Sequence, residues 1–334
     1  MNIAGSRCVD VLLTIDKNFI LPSGALIVSL VHNNPDVHFV FHVCLPHDDL
    51  KAAEVKLVRR ASELCKGAAS FRLYDFEAFK RFNEICAVLN KRMATQCARV
   101  FLSELDLQSE ILLYIDADEV CVGAIDSLLC VEFSEKTVLY ASAATHMGNE
   151  LDVCGCKING YFFSSMLLIN LKLWLELGIE DKTIDAIKKY KPKFPDQDAL
   201  NIVLNNLWQA VPDNCQALWH KAEDSVFVHF IGEKPWNPWT YNKRENQQSV
   251  AVYRQYAKMF EPDVCTWLSF KQDKDSYINF NFYATRKATK WLAKKFKNQH
   301  KYKAFISFYL LHIYKKVKAK GIINTILLKS NTRS

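Results

Sequence analysis

The run Ile111-Leu112-Leu113-Tyr114-Ile115, closing on Asp116-Ala117-Asp118, restricts the fold of this chain more than any other stretch. Five apolar residues without alternation read as a short strand buried on both faces, as in a parallel sheet covered by helices. The strand then stops on two carboxylates one residue apart. In open α/β sheets ligands collect at the carboxyl ends of strands, where the chain leaves the core. Two hard oxygen ligands delivered there suit a divalent cation of the Mg or Mn type, and such a cation suits a diphosphate. A surface Asp-x-Asp turn is the competing reading of the same residues.

The flanking chain supplies the rest of such a sheet. Val9–Thr14 reads as a first strand, and Pro22 and Ser23 open a helix that runs to Leu30 and stops around Asn33-Asn34-Pro35. Val37–Leu45 is a second strand, Asp49–Cys65 has helical spacing, and Ser70–Tyr74 is a third strand. Strand–helix–strand–helix–strand predicts parallel pairing, the start of a nucleotide-binding half-domain. Neither G-x-G-x-x-G nor G-x-x-x-x-G-K-[ST] is present. A nucleotide phosphate would therefore be held without a glycine loop, which makes a metal more necessary.

Residues 76–90 and 94–105 read as helices, the second carrying Arg99. After the two aspartates come a short helix at 125–129, a strand at 137–144 and a polar loop at 145–160. Tyr161–Ile169 is a further apolar strand, and Asn170 is placed to cap the next helix. Phe194-Pro195-Asp196-Gln197-Asp198 is a second acidic cluster opening a helix. A last strand, Val226–Phe230, leads into His229-Phe230-Ile231-Gly232-Glu233-Lys234-Pro235-Trp236, and Val250–Phe260 reads as a connecting helix. Several of these residues have plainer roles open to them. Asp196 could be a helix N-cap, His229 a satisfied core histidine, and Arg99 the partner of a carboxylate such as Glu104; Trp236 and Trp239 read as packing residues.

The 11 cysteines are odd in number and scattered from Cys8 to Cys265, the pattern of reduced thiols in a cytosolic protein. Cys154-Gly155-Cys156 lacks a second pair at zinc spacing. No run of 18 uncharged apolar residues offers a membrane-spanning helix, and the N-terminus shows no apolar leader. The net charge of +7 conceals a division: residues 276–334 hold 14 Lys or Arg and no acid, whereas residues 1–275 hold 29 basic and 36 acidic groups. The tail interleaves its cations with 11 aromatics, and Ala304–Tyr314 is an uncharged run of 11 residues flanked by lysines. Too short to span a bilayer, it suits a helix at the headgroup level with Lys on anionic lipid. A solvated lysine-rich helix and a nucleic-acid arm compete for the tail, but the body carries no recognised nucleic-acid motif.

Taken together, Leu-Thr-Ile-Asp-Lys-Asn-Phe (13–19), Ala98-Arg99, Leu-Tyr-Ile-Asp-Ala-Asp (113–118), Leu-Leu-Ile-Asn-Leu-Lys-Leu-Trp (167–174), Asp-Gln-Asp-Ala-Leu-Asn (196–201) and His-Phe-Ile-Gly-Glu-Lys-Pro-Trp (229–236) resemble the family 8 retaining glycosyltransferases. The chain looks most like bacterial members that add galactose or glucose to the outer core of lipopolysaccharide, over roughly residues 8–240. The resemblance implies a GT-A fold in residues 1–245, a Rossmann-like mixed α/β sheet flanked by helices, with residues 246–334 as a helical, membrane-associating extension. It implies UDP-galactose or UDP-glucose as donor, a lipopolysaccharide core oligosaccharide as acceptor, manganese or magnesium as the ion, and a cytoplasmic place on the inner membrane. By the same resemblance Asp116, Asp118 and His229 would bind the metal. Thr14, Asp16, Asn18, Gly232 and Lys234 would hold the nucleotide, Asp16 and Asn18 at the uridine and Lys234 at the diphosphate. Arg99 and Asp196 would hold the donor sugar, and Gln197 would face the anomeric carbon. Gln197 is a poor nucleophile, which favours front-face attack within a tight ion pair; Asp198 is the fallback nucleophile. Two positions depart from the family pattern. Phe163-Ser164-Ser165 stands where Asn-Ala-Gly is common, and the loop after His229 is one residue shorter. These motivate a second reading, a degenerate member that binds UDP-sugar or glycan without turnover.

Overall fold

The computed structural model describes residues 7–107, 109–218, 224–232, 234–236 and 247–262, with 297 and 306 singly. The expectations for Trp239 and for the basic tail therefore lie outside the described residues. Twelve strands are present among the described residues: β1 (Arg7–Thr14), β2 (Val37–Leu45), β3 (Ala69–Asp75), β4 (Ile111–Ile115), β5 (Glu119–Cys121), β6 (Leu139–Ala143), β7 (Glu150–Val153), β8 (Cys156–Asn159), β9 (Phe162–Asn170), β10 (Trp208–Ala210), β11 (Gln216–Leu218) and β12 (Phe227–His229). Seven of them form one sheet in the order β10-β6-β9-β4-β1-β2-β3. β1 pairs in parallel with β2 and β4, and β2 with β3. β9 runs antiparallel to both β4 and β6, which makes the sheet mixed. A second sheet, β11-β12-β5, stands at the carboxyl end of β4.

The unalternating apolar runs are explained by burial on both faces. Val11 and Leu13 of β1 and Leu113 and Ile115 of β4 join one core cluster, while Leu12, Leu112 and Tyr114 join the other. Each of these seven side chains is fully buried or nearly so. Truncating any of the leucines to Ala would cost about 2–5 kcal/mol. Helix Gln247–Phe260 shares the first core through Val250, Tyr253, Tyr256 and Phe260. It docks on helix Ile20–Asn33 because Gly24 has no side chain; a Cβ there would lie 2.3 Å from the Phe260 ring.

Three stretches differ from the expected elements. The 49–65 helix contains a wide turn at Glu54–Val58 between two α segments. Residues 76–105 form short pieces instead of two long helices, because Phe79 and Asn90 are extended and Asn90 caps a new helix through the Met93 amide. The 145–160 loop is a turn followed by the β7–β8 hairpin, whose Cys154 and Gly155 both have positive φ (55° and 83°), as two-residue hairpin turns require.

A buried polar row crosses β1, β2 and β3. Asp10 Oδ1 lies 2.9 Å from His42 Nε2, His42 Nδ1 lies 2.9 Å from the Tyr74 hydroxyl, and Asp10 Oδ2 accepts the Ser109 amide. Burial pushes the Asp10 carboxyl upward, but hydrogen bonds from His42 and Ser109 outweigh it and bring it down to about 2. A depressed carboxylate stabilises the fold above its unfolded value near 4, and that contribution is lost as pH falls toward 2. Asp10→Asn is expected to cost about 2 kcal/mol at pH 7 and to flatten the acid limb of the stability curve between pH 4 and 2. Urea unfolding at several pH values measures both, and an acid limb as steep as in the unsubstituted protein would refute the assignment.

Candidate functional site

The site is built where β4 ends. Asp116 and Asp118 sit in the turn from β4 to β5, and the Asp116 amide is held by the Ser165 carbonyl of β9 at 2.7 Å. β12 lies antiparallel to β5, which brings His229 beside the turn. One ligand atom from each of Asp116, Asp118 and His229 lies within 4.8 Å of the others. The His229 Nε2 to Asp118 Oδ1 distance is 3.5 Å. Two carboxylate oxygens and one imidazole nitrogen converging on a buried point fit a divalent cation such as manganese. The surface-turn reading of Asp-x-Asp and the core-histidine reading of His229 do not describe this arrangement.

Electrostatics divide the two aspartates. Burial raises the Asp116 carboxyl, opposed by Arg99 and reinforced by the charge of Asp118. Burial acts on Asp118 too, but the hydrogen bond and charge of His229, with the Lys234 ammonium, outweigh it and bring the carboxyl down to about 2. Lys234 hydrogen-bonds Asp118 Oδ2 directly and donates to the Phe230 carbonyl at 2.9 Å. Gly232 supplies the left-handed turn (φ 76°) that folds this loop back, and its Cβ direction is open. Glu119, next in the chain, is fully buried, and burial followed by Asp116 and Asp118 pushes its carboxyl well above the usual range.

Arg99 links this cluster to the second one. It does not pair with Glu104: Nη1 lies 3.1 Å from Asp116 Oδ1, Nε lies 3.3 Å from Asp196 Oδ2, and Nη1 donates to the Ser164 carbonyl at 2.8 Å. Its guanidinium also stands 4.4 Å above the Tyr114 ring. Burial works against its charge, yet Asp116, Tyr114 and Asp196 raise it further above its ordinary value. Phe194 occupies the N-cap position of helix Pro195–Val203 without a side-chain cap, so Asp196 is not the N-cap and instead accepts the Ser164 hydroxyl at 3.2 Å. Gln197 Oε1 accepts the Ser164 amide at 3.0 Å, and its Nε2 donates to the Tyr161 hydroxyl at 2.9 Å. Asp198 spends both oxygens on structure, accepting Tyr161 Oη at 2.5 Å and the Phe194 amide at 3.0 Å.

A cleft of about 590 Å³ opens beside Asp116 and Asp118, lined by Thr14, Asp16, Phe19, Arg99 and Lys234 among others; His229, Asp196, Gln197 and Asp198 are not in its lining. That is the size of a small-molecule site. Asn18 does not line it but fixes Asp16, whose Oδ1 accepts the Asn18 amide at 2.8 Å and whose Oδ2 accepts its side chain at 3.2 Å. Trp236 packs between Phe19 and Tyr253, as expected. Phe163 turns away from hydrogen bonding and stacks on His146.

Sequence reasoning missed the residues that hold these groups. Tyr114 donates to Asp116 Oδ1 at 2.5 Å and lies 3.2 Å from Thr14 Oγ1. Tyr161 and Ser164 secure Gln197, and Gln216 donates to Glu119 at 2.6 Å. A hydroxyl inside an otherwise apolar strand, as at Tyr114, is the one signal that could have found such a residue.

The family model for glycosyl transferase family 8 matches residues 10–240. Lipopolysaccharide 1,3-galactosyltransferase of Salmonella typhimurium is 27% identical over 326 residues, covering 91% of this chain and 90% of that protein. Lipopolysaccharide 1,2-glucosyltransferase of Escherichia coli is 26% identical over 253 residues, covering 67% and 72%. Among solved structures, galactosyltransferase LgtC in complex with donor and acceptor sugar analogues superposes with a TM-score of 0.60 at 20% identity, covering 75% of this chain and 95% of LgtC. The bifunctional glycosyltransferase WbbM gives the same TM-score at 16% identity, covering 80% and 53%. The fold is of the GT-A type, as expected. With the family match spanning more than two thirds of its length, this chain belongs to glycosyltransferase family 8.

Proposed function

We propose that this protein is a retaining, cation-dependent hexosyltransferase that moves galactose or glucose from a UDP-sugar to a lipopolysaccharide core oligosaccharide. The observation that carries the reading is the convergence of Asp116, Asp118 and His229 at one end of a cleft that Arg99 and Lys234 also line or border. The names of the relatives support the acceptor class and the choice between galactose and glucose.

Each group has a task that its chemistry allows. A bound manganese or magnesium ion supplies Lewis-acid neutralisation of the charge that develops on the departing diphosphate. Asp116, Asp118 and His229 would hold it, and the Lys234 ammonium adds a second positive charge on the same side. Thr14 and Asp16, with Asn18 fixing Asp16 and Gly232 shaping the Lys234 loop, bind the nucleotide end. Arg99 and Asp196 hold the donor sugar. Gln197 would face the anomeric carbon and stabilise an oxocarbenium-like state by dipole once its amide is freed from Ser164 or Tyr161, which hold its two ends here. Asp198 is bonded through both oxygens, which weighs against its use as a nucleophile and favours front-face attack. The basic segment 276–334 places this acidic body on an anionic, cytoplasmic membrane surface, next to its acceptor. Residues 1–245 hold the chemistry in this reading and 246–334 form the extension.

Asp116→Ala or Asp118→Ala is expected to lower kcat/KM on the order of 10³-fold with the fold retained by circular dichroism. Full transfer by either variant under chelation would remove the cation from the reading. Incubation with manganese and a panel of UDP-sugars is expected to release UDP slowly from the galactose or glucose donor even without acceptor. Phe163, stacked on His146 where the family commonly has Asn, favours the alternative of binding without turnover. UDP-sugar binding with no UDP release, even with acceptor present, would establish that alternative. Truncation from Lys287 onward should leave UDP binding unchanged and shift the protein from membrane to soluble fractions; retention at the membrane would refute the role given to the tail.

A further inference from the structure

Two buried polar atoms beside the cation ligands have no hydrogen-bond partner among the described residues: His229 Nδ1 and Glu119 Oε2. One is a potential donor and the other an acceptor. Buried groups left unpaired in this way are destabilising, so their coincidence at one place requires a reason.

The ladder between β5 and β12 puts them together. His229 is the register partner of Glu119, Val228 of Val120 and Phe227 of Cys121. The Phe230 amide bonds the Asp118 carbonyl at 3.0 Å, and the Val122 amide bonds the Val226 carbonyl at 2.8 Å. Hydrogen-bonded pairs therefore fall at 118/230 and 122/226 and, by alternation, at 120/228. His229 and Glu119 form a non-hydrogen-bonded pair between them. In such a pair the Cα atoms approach to about 4.5 Å and both side chains stand on the same face. The two unpartnered atoms therefore belong to side chains directly opposed across the ladder.

The chemistry of the ring sets the direction of that bond. Nε2 is the nitrogen turned toward Asp118 Oδ1, so Nε2 would be the ligand nitrogen and, with the cation bound, would be free of hydrogen. The neutral imidazole then carries its hydrogen on Nδ1, which needs an acceptor in this buried place. Glu119 provides one, since a carboxyl oxygen keeps an acceptor lone pair in either protonation state. Its other oxygen is already fixed by Gln216 Nε2 at 2.6 Å, and Gln216 is held by Ser165, whose carbonyl also holds the Asp116 amide. Glu119 itself is not among the gathered ligand atoms, so it acts through the histidine.

We propose that Glu119 is a positioning residue whose Oε2 accepts the His229 Nδ1 hydrogen, fixing the tautomer and ring orientation that present Nε2 to the divalent cation. This rests on the reading of Asp116, Asp118 and His229 as cation ligands. Carboxylate partners of ligating histidines are worth about 10–100-fold in metal affinity.

The test is Mn²⁺ titration calorimetry of the full chain and of Glu119→Leu and Glu119→Gln, with thermal melting of each without metal. Glu119→Leu is expected to weaken Mn²⁺ binding about 10–100-fold, and Glu119→Gln, which keeps an oxygen acceptor, to recover part of that loss. A merely structural glutamate would change the melting temperature and leave Mn²⁺ affinity alone. ¹⁵N-histidine spectra of the unsubstituted, Mg²⁺-loaded protein give a reading that does not depend on how the variants fold: His229 should show one tautomer, protonated at Nδ1. The opposite tautomer, or a Glu119→Leu variant that binds Mn²⁺ as the unsubstituted protein does, would overturn the role of Glu119 alone. No Mn²⁺ binding by the unsubstituted protein would overturn it together with the cation reading.

Discussion

The Arg99 guanidinium, buried between Asp116 and Asp196, is the interaction on which the rest of the site depends. Two carboxylate clusters delivered by different elements, the end of β4 and the start of helix Pro195–Val203, would repel one another in a low-dielectric interior. Arg99 reaches both and adds a third bond to the Ser164 carbonyl. A planar fork with five donors can satisfy three directions at once, which a lysine ammonium on a flexible stem does far less well. Such an arrangement adds little net stability, because taking charges out of water costs about as much as their attraction returns. What it adds is geometry. Removing Arg99 would leave the buried Asp196 and the half-buried Asp116 with only hydroxyl donors, from Ser164 and Tyr114, and would uncouple the two acidic clusters.

The strand that makes this coupling possible is β9, which runs against its neighbours. Its insertion between β6 and β4 places Ser164 and Ser165 directly behind Asp116. Ser164 contacts Arg99, Asp196 and Gln197, and Ser165 contacts Asp116 and Gln216. Ser164 and Ser165 thus supply two hydroxyls that tie the acidic clusters to the sheet. The aromatic ring introduced at 163 is accommodated by stacking on His146.

The parts of the fold written in local chemistry were legible in the sequence. Val37–Leu45 is a strand with the expected boundaries because it is β-rich and bounded by Pro35 and Pro46, and Asn170 caps its helix through the Leu173 amide as its position suggested. The Asp-x-Asp turn, Asp196 and His229 were legible as candidates because each follows or opens an element. The 145–160 segment was not, since Cys154 is an uncommon residue for a left-handed turn position and hides a hairpin. Residues 76–105 misled through their helical composition, which two extended residues override. Glu119 was invisible as anything but the end of an acidic run. Its meaning depends on a three-residue strand pairing more than a hundred residues away, and no local pattern encodes that pairing.

In the proposed function Asp118 would serve both the cation and the placement of Lys234. Its two oxygens face different partners: Oδ1 lies toward His229 and the other ligand atoms, while Oδ2 holds the Lys234 ammonium. The Phe230 amide on the Asp118 carbonyl fixes the main chain beneath both, so the ladder that aligns His229 also sets the reach of Lys234. The loop between them is short and turns at Gly232, where a left-handed residue is required and a side chain would meet strain from φ and not from crowding. A shorter loop leaves the lysine less freedom than a longer one would. With its ammonium also bonded to the Phe230 carbonyl, Lys234 is preorganised at the edge of the cleft, and little conformational entropy remains to be lost when an anionic group arrives there.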